Sequence, residues 1–175
     1  MIEIKKNIFW TGIKDWEMRH FHGHELSTHR GTSYNSYLIK DEKTVLVDTV
    51  WDPFREEFVS KLERDVGLEN IDMIVINHAE PDHGGSLGYL LDRLPSRGIP
   101  IYYTKNGAEI IKKHFNRDDM NFKVVKTGDT VNIGEYDLVF VEMQMLHWPD
   151  SMMTYVKGAN VVFSNDAFEI GRAHV

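Results

Sequence analysis

Apolar positions along the chain switch between a period of two and a period near four, and each switch marks an element. Tyr34 to Ile39 and Thr44 to Val47 flank the polar run Lys40-Asp41-Glu42-Lys43, which predicts a β-hairpin closed by Asp48. Asp52-Pro53 then offers a helix N-cap and a first-turn proline. Phe54, Phe58, Leu62 and Val66 follow at every fourth position, so an amphipathic helix is expected up to Gly67. The continuous apolar run Met73-Ile74-Val75-Ile76 predicts a strand buried on both faces, with His78 just past its end. Leu87, Leu90, Leu91 and Leu94 predict a second helix, capped by Ser86 and stopped by Pro95. A strand over Ile99 to Tyr103 and a helix from about Asn106 to Phe115 come next.

Beyond Asn121 the period returns to two. Strands are expected at Lys123 to Val125, Val131 to Ile133, Tyr136 to Val141, Thr154 to Val156 and Val161 to Ser164, separated by glycine-containing turns. Alternating strands and helices followed by strands describe a mixed α/β class built on βαβ units. No repeat, low-complexity tract or linker-like stretch divides the chain, so one domain is expected.

Composition narrows the chemistry. The 175 residues are 42% hydrophobic and 27% charged, the balance of a folded domain. A net charge of −7 gives no cationic footprint for nucleic acid or an anionic membrane surface. The absence of a long apolar run or signal-like start leads to an expected cytoplasmic location. With Cys 0, disulfides, thiolate metal sites and cysteine nucleophiles are all excluded, so any metal must be held by His and carboxylate.

The nine His give that expectation a place. In Asn77-His78-Ala79-Glu80-Pro81-Asp82-His83-Gly84-Gly85-Ser86, four potential ligands occupy six positions. On an extended loop His78, Glu80 and Asp82 would point the same way, with His83 joining after a bend. That density is too high for one ion without crowding and suits two adjacent ions. His147, after the run Val141 to Leu146, and Asp166, after Val161 to Asn165, also sit just past apolar strands, where an α/β scaffold delivers ligands to one sheet edge. A carboxylate such as Asp166 can bridge two cations. Asp48 is read as a structural hydrogen-bond acceptor for this loop, Trp51 as packing beneath a loop, and His20, His29 and His114 as surface residues. Trp148 and Tyr155 are read as core aromatics with pocket lining as the alternative, and His22 and His24 as solvated loop residues or donors orienting the ligands.

The string His-x-Glu-x-Asp-His, together with Met-Leu-His-Trp-Pro-Asp-Ser-Met around His147 and Phe-Ser-Asn-Asp-Ala-Phe around Asp166, resembles the metallo-β-lactamase-like di-iron domain of flavodiiron proteins, or A-type flavoproteins. Phe9-Trp10-Thr11-Gly12, Arg19-His20-Phe21-His22, Gly31 to Ile39 and Asp48-Thr49-Val50 resemble that family in the same order, so the likeness covers residues 1 to about 168. Glu80 stands where the generic metallo-β-lactamase pattern has His, which separates this chain from most zinc hydrolases of the superfamily.

The resemblance implies a metallo-β-lactamase-like αββα sandwich, C-terminally truncated, with residues 1–168 a partial di-iron domain. It implies that His78, Glu80 and His147 hold one iron, Asp82 and His83 the other, and that Asp166 bridges them. Of these, His78, Glu80, Asp82, His147 and Asp166 are expected to carry catalysis. Three carboxylates favour ferric iron over an all-imidazole site. The implied activity is reduction of dioxygen to water or nitric oxide to nitrous oxide, with electrons from FMN in a separate flavodoxin-like domain. A donor such as rubredoxin or a flavin reductase, and a homodimer, are implied partners. A dizinc hydrolase of esters or thioesters is the alternative. Family members continue past the counterpart of Asp166 with another His ligand, whereas Glu169 to Val175 departs from the family pattern and reads as a non-native tail, so His174 is not counted as a ligand. The second iron is therefore expected to bind weakly and full activity is not expected. One sheet is expected to keep an unpaired edge.

Overall fold

Three parallel crossovers and a separate antiparallel sheet carry the fold in the computed structural model, which describes residues 1–21, 26–95 and 98–168. In chain order the strands are β1 (Ile2–Lys5), β2 (Ile8–Trp10), β3 (Ile13–Asp15), β4 (His20–Phe21), β5 (Leu26–Ser27), β6 (Thr32–Tyr34), β7 (Tyr37–Lys40), β8 (Thr44–Val47), β9 (Met73–Val75), β10 (Ile101–Tyr103), β11 (Phe122–Val124), β12 (Thr130–Asn132), β13 (Asp137–Glu142), β14 (Met152–Lys157) and β15 (Val161–Phe163). The helices are α1 (Arg55–Asp65), α2 (Pro81–Gly84), α3 (Leu87–Leu91) and α4 (Lys105–Phe115).

The larger sheet runs β1-β2-β7-β8-β9-β10-β11. Its first four strands pair antiparallel, and β8 through β11 are parallel. Parallel strands need a crossover, supplied here by α1, by α2 with α3, and by α4. Leu38, Leu46, Ile74 and Ile101 stand opposite one another on β7, β8, β9 and β10, all fully buried. This row forms because the central positions of those strands are apolar and covered on both faces. The smaller sheet, β12-β13-β14-β15, is antiparallel and contributes Leu138, Phe140, Met152 and Val156 to the same apolar cluster. Two ring contacts join the sheets: Tyr102 stacks on Phe140 at 5.8 Å, and Tyr37 lies 4.7 Å from Phe163. Two sheets with flanking helices make the metallo-β-lactamase-like architecture. Among the described residues no helix is long and apolar enough to cross a membrane.

Four local expectations need correcting. The run from Tyr34 to Ile39 is two strands, because Tyr34 belongs to β6, which pairs with β3, and only Tyr37 onward pairs with β8. Buried Tyr34 donates its hydroxyl to Asp15 and packs its ring on Trp51 and Phe54, so the chain must turn at Asn35-Ser36. Asp52 does not cap α1. It opens a short 3-10 turn, Asp52–Phe54, and its carboxylate pairs with Arg55 at 2.9 Å. Ser86 likewise spends its hydroxyl on the Val50 carbonyl rather than on α3, and α3 ends at Leu91 in a tight turn in which Arg93 N–H reaches back to Leu90. Finally, the ligand string is not extended throughout, since Pro81 starts the single helical turn α2. His22, His24 and the 169–175 segment lie outside the described residues.

Candidate metal centre

The carboxyl ends of β8, β9 and β10 open on one edge, and the site is assembled there. Asp48 follows β8 in the left-handed region at φ 55°, a conformation costly for a residue with a Cβ. It is held by its own N–H to Val75, and its carbonyl accepts the Ser36 hydroxyl. Its buried carboxylate accepts the Asn77 backbone N–H at 2.7 Å and the Asn77 amide at 3.3 Å. Burial pushes the Asp48 carboxyl up to about 6, against the opposing pull of His83 and these Asn77 bonds. Asn77 in turn accepts from the Thr154 hydroxyl on β14, and its carbonyl accepts the Met152 N–H. The two sheets are thus stitched together one residue before His78.

His78 is fully buried, with Nε2 3.2 Å from Glu80 Oε2 and 3.8 Å from Asp166 Oδ2. His147 Nε2 reaches the same two oxygens at 3.3 and 3.4 Å. His78, Glu80, His147 and Asp166 therefore each bring one donor atom within 4.8 Å of the others. A second group forms around the other oxygen of Asp166. His83 Nε2 stands 3.0 Å from Asp166 Oδ1 and 3.7 Å from Asp82 Oδ2, and Asp82, His83 and Asp166 also fall within 4.8 Å of one another. The helical turn from Pro81 divides the string. His78 and Glu80, ahead of the turn, serve one group, and α2 carries Asp82 and His83 to the other. Gly85 allows that turn to close, because a Cβ there would run into the Pro81 carbonyl.

The electrostatics are those of cation sites. Burial presses the His78 imidazole down, but hydrogen bonds to Asp150 and Glu80 outweigh it and raise it to about 9. Burial also opposes the charged form of His83, yet the Asp166 bond and the Asp82, Asp166 and Asp48 charges lift it to about 10. Glu80 is lowered by its bond to His78, despite burial. In the metal-free chain the donor set is thus held together by protons that a metal would displace. Two imidazoles with two carboxylates in one group, and one imidazole with two carboxylates in the other, fit hard-to-borderline metals such as iron.

Trp148 meets the His78 ring edge-on at 5.3 Å and is partly exposed, whereas the Tyr155 hydroxyl donates to Asn160 in the turn after β14. His20, His29 and His114 are exposed. Sequence reasoning passed over Asp150, Tyr103 and Asn77. Asp150 Oδ2 lies 3.0 Å from His78 Nδ1 and accepts the Ala79 N–H and the Tyr103 hydroxyl. Its signal was in plain view as the third residue after His147, but an Asp after Trp-Pro has no periodicity that marks it as buried.

Comparison with known proteins places the fold. Residues 32–172 match the family described as ODP family beta lactamase, and the chain belongs to that family. It carries the metallo-β-lactamase-like domain of the flavodiiron type. The anaerobic nitric oxide reductase flavorubredoxin of Salmonella typhi is 55% identical over 168 residues, covering 95% of this chain and 35% of the relative. The crystal structure of the flavodiiron protein from Giardia intestinalis superposes with a TM-score of 0.85 at 37% identity, covering 95% of this chain and 40% of that one. Rubredoxin oxygen:oxidoreductase from the anaerobe Desulfovibrio gigas gives a TM-score of 0.85 at 35% identity, covering 93% and 40%. The chain thus spans little more than a third of the length of these relatives.

Proposed function

We propose that this chain holds the non-haem di-iron site of a flavodiiron oxidoreductase that reduces nitric oxide to nitrous oxide, dioxygen to water, or both. One observation carries the reading: the two oxygens of Asp166 face two separate ligand groups, Oδ2 toward His147 and Oδ1 toward His83. His78, Glu80 and His147 are the ligands of one iron, Asp82 and His83 of the other, and Asp166 the bridge. Two ferrous ions bound there would supply a pair of electrons to a diatomic substrate without release of a radical.

The protein's own residues set the conditions. Asp48 and Asn77 fix the backbone entering His78, and burial of His78, Asp82 and His83 keeps bulk water from competing for their donor atoms. His147, at 31% exposure, and partly exposed Trp148 form the open rim through which a small substrate can enter. Joining two nitric oxide molecules into nitrous oxide and water takes two electrons and two protons, whereas taking dioxygen to water takes four of each. FMN in a further domain, reloaded by rubredoxin or a flavin reductase, is the electron source we propose. A head-to-tail homodimer in the cytoplasm is the proposed setting.

The test is a single turnover. The longer flavodiiron protein proposed to contain this chain, iron-loaded and reduced, is mixed with nitric oxide without air, and nitrous oxide is measured by gas chromatography. One nitrous oxide per two nitric oxides consumed is expected, with electrons matching the ferrous iron and reduced flavin lost. A chain that takes up two zincs in preference to iron and hydrolyses thioesters would overturn the reading.

A further inference from the structure

Asp150 has no place among the ligands, yet it is fully buried and its Oδ2 gathers three partners: His78 Nδ1 at 3.0 Å, the Ala79 N–H at 2.8 Å and the Tyr103 hydroxyl. A carboxylate oxygen that already accepts two donors can only accept at a third, so the hydrogen of His78 sits on Nδ1. Nε2, which faces Glu80, His147 and Asp166, is then the nitrogen whose proton a metal would displace. The same residue is pinned from behind. Its carbonyl accepts the Thr104 hydroxyl, which also caps α4, and the neighbouring Pro149 carbonyl accepts the Asn106 amide. Gly107 makes room for this arrangement, since a Cβ there would run into the Tyr103 ring. His147 lies three residues before Asp150 in the same loop. One buried carboxylate thus touches His78 directly and sits in the loop that carries His147.

We propose that Asp150, backed by Tyr103, is the positioning residue of the first metal group: it fixes the His78 tautomer and registers the His147 loop against β9. The proposal rests on the reading that His78 and His147 ligate a metal. Asp150→Asn keeps the shape and lets the amide oxygen replace Oδ2, but removes the charge that holds the Nδ1 hydrogen. Tyr103→Phe keeps the ring and deletes one donor to Asp150.

The experiment titrates the chain with cobalt(II) without air, following the ligand-field absorption bands, with far-UV circular dichroism to establish folding. Weakening of the first cobalt by about 10- to 100-fold is expected for Asp150→Asn, with altered bands and an unchanged dichroism spectrum. A smaller weakening is expected for Tyr103→Phe. A folded Asp150→Asn chain that binds within twofold of the parent with the same bands would overturn the proposal. Should Asp150→Asn fail to fold, Tyr103→Phe decides alone, and unchanged affinity and bands there would also overturn it. A parent chain that binds no cobalt would instead refute the metal reading on which the proposal stands.

Discussion

Asp166 turns one carboxylate oxygen to Nε2 of His83 at 3.0 Å while its other oxygen faces the His78, Glu80 and His147 group. The 3-10 turn Asn165–Phe168 that follows β15 delivers it there, and Asn165 secures the turn by donating its amide to the Met152 carbonyl at 2.7 Å. As proposed metal sites, two groups that share one residue cannot be independent.

Asp166→Ala should therefore cost both metals, whereas His147→Ala should cost one. Metal analysis of the longer protein proposed to contain this domain, after iron loading and gel filtration, checks this: below one iron per chain is expected for the first variant and about one for the second, with parental dichroism in both. Equal losses in the two variants would argue against a shared carboxylate.

Glu80 is the residue that makes the first group oxygen-rich, contributing Oε2 to both His78 and His147. Glu80→His replaces a charged oxygen by a neutral nitrogen, so the variant should move its preference from iron toward zinc. Competitive loading with equal iron(II) and zinc(II), read by elemental analysis, measures the shift. A variant with the parent's iron-to-zinc ratio would contradict it.

Phe140 is fully buried on β13 and carries the stacking contact to Tyr102 in the other sheet. Phe140→Ala leaves a cavity between the sheets and should lower stability by about 3–5 kcal/mol. Urea unfolding followed by tryptophan fluorescence gives the value.

Away from the site, Asp65 offers a clean acid-range test. Its hydrogen bonds from Arg64 and the Met1 amino group hold the carboxyl down to about 2 from its ordinary 3.8. A lowered folded-state value means that the ionised form stabilises the fold above 3.8 and that this contribution fades as pH falls to about 2. The stability difference between the parent and Asp65→Asn should be nearly constant from pH 6 to 5, shrink as pH falls through 3.8 toward 2, and vanish only below about 2. Urea unfolding at stepped pH reads it, and a difference that grows toward acid would be the wrong sign.

Much of this architecture is legible in the residue pattern, because buried parallel strands are apolar throughout and α1 and α4 repeat near every fourth position. The strand end before His78 and the density of ligands after it are local features, so they show in sequence. The division of the string by Pro81 was missed because alternation was extended past a residue that favours a first helical turn. Asp150 and Asn77 were missed for another reason. Their roles come from partners on other elements, 72 residues away for the Asp150–His78 contact and 77 for Thr154–Asn77, and no spacing rule reaches that far. The turn at Asn35-Ser36 belongs to the same class, since Tyr34 is drawn aside by Asp15, Trp51 and Phe54.

The most direct test of the account is Mössbauer spectroscopy of the longer protein proposed to contain this domain, reconstituted with iron-57 and oxidised. Two ferric ions joined through Asp166 should give a spin-coupled pair with a diamagnetic ground state at low temperature. Two uncoupled high-spin ferric signals, or a single isolated iron under excess metal, would contradict it.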